Sequence, residues 1–176
     1  MNPALNSILW RQFGAAIDTL DNAFVACPDT LWTAELYPEP APPVGFAAYW
    51  YNGFHTLFFL DLYLTGTVEG FLPPAPFTLD ELDPAGIVPE QPYSRDELRA
   101  YLVHCRAKAQ ATIENLTSEQ AHVVCSFPWG TMSFLELQLY SMRHVQEHAA
   151  QLNLFLGQMT DAPPGWVKTA RGPAVP

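Results

Sequence analysis

The chain has 176 residues and a mass of 19.6 kDa, enough for one domain with a full hydrophobic core. It is 49% hydrophobic and only 15% charged, yet 18 Asp and Glu against 8 Lys and Arg leave a formal net charge of −10. So high an apolar content argues against disorder, and so few basic groups argue against nucleic acid, whose phosphates are held by Lys and Arg.

The charge is uneven. Residues 1–94 carry one basic and eleven acidic side chains, whereas residues 95–176 carry seven of each. Five prolines fall in 28–43, six in 73–92 and four in 163–176. Proline interrupts helices because it lacks an amide donor and clashes with the preceding turn. Four proline-poor windows remain, at about 4–26, 44–65, 94–117 and 133–157.

The first window repeats apolar residues at helical spacing, from Leu5, Ile8 and Leu9 to Phe13, Ile17, Leu20 and Phe24. The second is apolar nearly all round, which predicts a helix deep in the structure. It is also the one membrane candidate, but it contains Asn52, His55 and Asp61 and has no basic flank, so it reads as a buried bundle helix. The third opens on Ser94-Arg95-Asp96-Glu97, a capping-box pattern. The fourth opens on Ser133-Phe134-Leu135-Glu136, with Gly157 as its expected C-cap. Its apolar stripe is Leu135, Met142, Val145, Ala149, Leu152 and Leu156. Between the last two windows, residues 122–131 have room for a short extended piece.

The expectation is an all-α four-helix bundle with long proline-rich connections. Residues 1–160 form one domain and 161–176 a proline-rich tail, docked by Trp166. Cys27, Cys105 and Cys125 are odd in number and show no Cys-x-x-Cys spacing, which fits a reducing compartment. Met1–Leu5 lacks the basic start and apolar run of a signal peptide, so the expected location is cytoplasmic.

The chemistry lies in the histidines. His144 and His148 stand at i and i+4 with Gln151 on nearly the same face, and two imidazoles so spaced can hold one metal ion. They sit beside the apolar stripe, at the margin where a shielded site can still open to a pocket. His55 lies among aromatic residues on the second helix and needs a polar partner there, because an unpaired buried polar group is costly. A metal shared with His144 and His148 would supply one. His104 and His122 read as ordinary core or surface histidines. His144-Val145-Gln146-Glu147-His148 also matches the inverted zinc-protease signature, but Asp161 is the one acid among the 28 residues that follow. That makes His55 the better third ligand. Glu147 is either a catalytic group near the metal or a solvated flank residue. Tyr51 and Asn52, close to His55, are either substrate-binding or simply packed.

His55, followed by His144, His148, Gln151 and Leu152 in an H-x-x-x-H-x-x-Q-L pattern, resembles the DinB/YfiT-like superfamily. The long connections and the Phe127-Pro128-Trp129-Gly130 turn before the last helix agree, over roughly 4–158. The resemblance implies an up-down-down-up bundle, often a homodimer. It also implies a divalent metal, commonly zinc, nickel or iron, held by the three histidines. Members with known activity include S-transferases and isomerases that use low-molecular-weight thiols, and many others are described as metal-dependent hydrolases. The expected site is therefore His55, His144 and His148 as ligands, Glu147 and Tyr51 as catalytic groups, and Asn52 and Gln151 as binding groups for a small-molecule substrate or thiol cofactor. Three imidazoles leave a coordination position open, so a bound water or thiol can be activated. The alternative is a non-catalytic metal-binding or structural bundle. Arg143 is the only basic residue near the histidines in sequence, which disfavours polyanionic ligands.

Overall fold

The computed structural model describes residues 2–38 and 45–172. Val44, where the second helical window opens, Glu39, and residues 173–176 of the tail lie outside the described residues. The fold is mostly helical. Four long helices, α1 (Pro3–Ala26), α2 (Tyr49–Thr65), α3 (Arg95–Glu114) and α5 (Phe134–Thr160), are joined by a one-turn helix α4 (Ser118–Ala121) and a hairpin of β1 (Val124–Phe127) and β2 (Gly130–Ser133). Two 3-10 turns, Asp29–Leu31 and Asp80–Leu82, lie in the connections before and after α2. α1 and α2 each pack against both α3 and α5, which puts α1 and α2 diagonally opposite one another.

The ends of the helices follow from local chemistry. Asn2 accepts a hydrogen bond from the Ala4 amide at 2.9 Å and Pro3 occupies the first turn, where no amide donor is required. Ser94 and Glu97 form the expected capping box. α2 has no side-chain cap. Instead the preceding connection folds back on it, and the Tyr49 and Trp50 amides donate to the carbonyls of Ala34 and Trp32 at 2.9 and 3.1 Å. This meets the need of free amides at a buried helix start. α2 ends at Gly66, whose φ of 82° is left-handed and whose missing Cβ leaves room for the Phe134 ring.

α2 is buried on nearly every face, as its composition requires. The Phe24 ring of α1 reaches across the core to it because residue 53 is glycine: a Cβ there would lie 2.6 Å from that ring. The acid that spoke against a membrane span, Asp61, is buried and paired with Lys108 Nζ at 2.6 Å and the Tyr101 hydroxyl at 3.1 Å. No helix among the described residues is long and apolar enough to cross a membrane.

Several sequence expectations are corrected. The third helix stops at Glu114 and not at 117, because Thr117 and Gln120 form a second capping box that starts α4. The fourth helical window runs past Gly157 to Thr160, and Asp161, at φ 55°, closes it. Gly157 instead packs against Pro163. Only the Ser133 half of the second expected capping box forms, accepting from the Glu136 amide at 3.4 Å. At the start of α5 the buried stripe runs through Leu137, Gln138 and Ser141, while Leu135 and Met142 are only half-buried. Trp166 is 74% exposed and docks nothing. The segment after α5 is held by Ala170, whose amide donates to Arg11 O at 2.8 Å and whose methyl sits over Gly14, and by the Arg171 amide on Asp18. The extended piece is the β1–β2 hairpin, with Phe127 paired to Gly130 across a Pro128-Trp129 turn.

Candidate metal centre

α2 and α5 bring the three histidines together. The imidazole centroids of His55, His144 and His148 lie 5.2 Å (55–144), 5.1 Å (55–148) and 4.5 Å (144–148) apart. One potential ligand atom from each falls within 4.8 Å of the others. His144 and His148 are separated by one helical turn, and His55 reaches across from the neighbouring helix.

The groups behind the histidines set their tautomers. Glu81, on the Asp80–Leu82 turn, accepts from His55 Nδ1 at 2.9 Å and is itself buried, with 6% of its side chain exposed. The connection bearing Glu81 is fixed by Phe71 and Phe77, both buried in the core, with Phe77 stacked on Tyr101. On α5, Gln151 Oε1 accepts from His148 Nδ1 at 2.8 Å, and Asn52 Nδ2 lies 3.2 Å from both atoms and donates to the oxygen. A proton held on Nδ1 of both His55 and His148 leaves their Nε2 lone pairs free, the arrangement that metal-bound histidines adopt.

His55 Nε2 and His144 Nε2 face one another at 3.3 Å, and His144 Nδ1 is buried without a hydrogen-bond partner. Two imidazole lone pairs this close repel unless a proton or a cation lies between them. Burial first, and then the neighbouring His148 and His55, lower the His144 pKa to about 3. Burial and His55 also lower that of His148, against an opposing pull from Gln151 and Glu147. Neutral imidazoles are the ligand form. The donor set therefore fits a divalent ion.

Two cavities flank the histidines. One, of about 480 Å³, is walled by Phe59, Tyr63, Trp129 and Tyr140, with Glu147 at its edge beside His144 and His148. The other, of about 270 Å³, is lined by Tyr37, Phe46, Tyr51, Asn52 and Glu81, and shares His55 and His148 with the first. The larger depression elsewhere on the molecule, about 530 Å³ around Thr112 and Cys125, contains none of the three histidines.

All seven residues expected at the site thus lie in or beside it. Glu147 is exposed and faces the first cavity. Tyr51 is buried; desolvation and then the Glu81 charge hold its phenol well above the ordinary range, so at neutral pH it is a hydrogen-bond donor and not a base. His104 lies 3.7 Å from Asp61 and His122 bonds to Ser118 O, both away from the centre. Sequence reasoning missed Glu81, an acid in a proline-rich connection with no local signal linking it to His55. It also gave Trp129 no place in a cavity wall, although the turn carrying it stood out.

The sequence pattern of the DinB superfamily matches residues 12–152. The chain belongs to the DinB superfamily. Among solved structures it is similar to a DinB-like protein, YjoA of Bacillus subtilis, at a TM-score of 0.58 and 15% identity, over 91% of this chain and 96% of that one. At that identity the likeness shows the fold. No curated protein matches the chain. Within the DinB match fall all three histidines, Glu81 and Gln151.

Proposed function

We propose that this DinB-superfamily chain is a divalent-metal-dependent enzyme, of hydrolase or thiol-dependent S-transferase type, centred on His55, His144 and His148. The observation that carries the reading is the meeting of three imidazoles between two cavities, with no fourth protein ligand among the described residues. A structural zinc site is usually closed by four protein ligands, whereas three with open access are typical of catalysis. A divalent ion, zinc, nickel or iron, would lower the pKa of a coordinated water or thiol and so supply a nucleophile at neutral pH.

The chain's own residues have assignable parts. Glu81 and Gln151 hold the Nδ1 protons and aim the Nε2 atoms of His55 and His148. Asn52 ties α2 to Gln151. Tyr51 donates a hydrogen bond within the smaller cavity, and Glu147 accepts or delivers a proton at the edge of the larger one. The two cavities meeting at His55 and His148 favour a two-substrate reaction, hence the transferase over the hydrolase. A homodimer, the up-down-down-up threading, a proline-rich 161–176 tail and a cytoplasmic setting belong to this reading as expectations.

The test is turnover of the metal-loaded protein with a panel of low-molecular-weight thiols and monochlorobimane, beside a panel of ester and amide substrates. Metal-dependent transfer supports the S-transferase, and metal-dependent hydrolysis the hydrolase. No turnover on either panel would favour a metal-binding bundle without catalysis.

A further inference from the structure

The smaller cavity has a chemical bias that the metal centre does not explain. Its only charged lining side chain, among the described residues, is Glu81. Glu81 Oε2 is taken by His55, and the buried Glu81 Oε1 is left with no closer donor than the Tyr51 hydroxyl that faces the carboxylate. Asn52 Oδ1 on the neighbouring wall, whose residue is 7% exposed, is buried with no hydrogen-bond partner. A buried amide oxygen without a donor, beside a buried carboxylate with few, is costly. The rest of the wall is aromatic: Tyr37, Phe46 and Tyr51, with Phe46 set edge-on to Tyr51 at 5.0 Å. Aromatic faces attract cations, and among the described residues no Lys or Arg lines the cavity.

Surplus acceptors, negative charge and aromatic walls together select one class of ligand. Resting on the proposed metal-dependent activity, we propose that this cavity binds the protonated primary or secondary amine of the substrate. Its N–H groups satisfy Glu81 and Asn52, and its adjoining carbons lie against Phe46 and Tyr51. A quaternary ammonium meets the rings but has no hydrogen to give the two oxygens. A carboxylate meets the Glu81 charge and is repelled. At about 270 Å³ the cavity takes a head group, so the remainder of the substrate extends past His55 and His148 toward the larger cavity. Glu81 then orients His55 with one oxygen and anchors substrate with the other.

The probe is benzylamine, compared with benzyl alcohol and benzyltrimethylammonium by calorimetry on the full chain at neutral pH, both zinc-loaded and chelator-stripped. Benzylamine is expected to bind at least tenfold more tightly than either analogue in both forms. In the stripped form Glu81→Gln should weaken it tenfold or more, and Phe46→Leu should weaken it several-fold while leaving zinc stoichiometry unchanged. Equal binding of the alcohol or the quaternary ammonium, an undiminished affinity in both variants, or binding only when zinc is present would overturn the proposal. Wild type that takes up zinc but not benzylamine refutes the amine subsite alone. Wild type that binds benzylamine but no zinc refutes the metal reading and leaves the subsite standing.

Discussion

Glu81 Oε2 accepts a hydrogen bond from His55 Nδ1 at 2.9 Å, joining a connection of low regularity to the most buried helix of the bundle. A carboxylate behind a histidine fixes the tautomer and raises the basicity of the distal nitrogen. The pair makes the loop after α2 part of the candidate metal centre.

The first prediction concerns that pair. Replacing Glu81 with Gln should weaken zinc binding about 10- to 100-fold, the usual cost of losing such a partner. Competition against a chromophoric chelator measures it, and the variant should keep the helical circular dichroism of wild type.

Core packing near the site should be equally sensitive. Gly53 lies one residue from Asn52 and two from His55, with the Phe24 ring where a Cβ would go. Gly53→Ala should therefore destabilise the fold by about 1–3 kcal/mol through overpacking, despite the better helix propensity of alanine. Urea denaturation gives the difference, and an unchanged midpoint would mean that Phe24 moves freely.

The protein's own thiols should be inert. Burial raises the Cys27 thiol to about 11 and lifts Cys105 and Cys125 above the ordinary thiol range. The thiolate fraction grows only as pH nears the raised pKa, so near pH 7.5 all three remain protonated. Iodoacetamide should label the native chain far more slowly than the urea-unfolded chain. Rapid labelling of any one would supply an internal nucleophile and remove the need for an external thiol.

The sequence disclosed the helices where periodicity and caps were local. The Ser94–Glu97 box and the apolar run of α2 are both properties of a few neighbouring residues, and both are present. His144, His148 and Gln151 were legible for the same reason, since one helical turn sets their spacing. The boundaries failed where tertiary contacts decide: Gly157 does not end α5 because Pro163 packs on it, and Trp166 is displaced as the dock by Ala170 over Gly14. Glu81 was hidden for a related reason. It reaches His55 only because Phe71 and Phe77 bury the loop that bears it, a placement that spans 26 residues and leaves no pattern in sequence.

The most direct test of the metal centre is elemental analysis of the purified wild type beside His55→Ala, His144→Ala and His148→Ala. Wild type should hold about one divalent ion per chain in a three-histidine site, and each variant should lose most of it. A wild type that stays metal-free under zinc-replete conditions, with a melting temperature unmoved by chelator, would contradict the account.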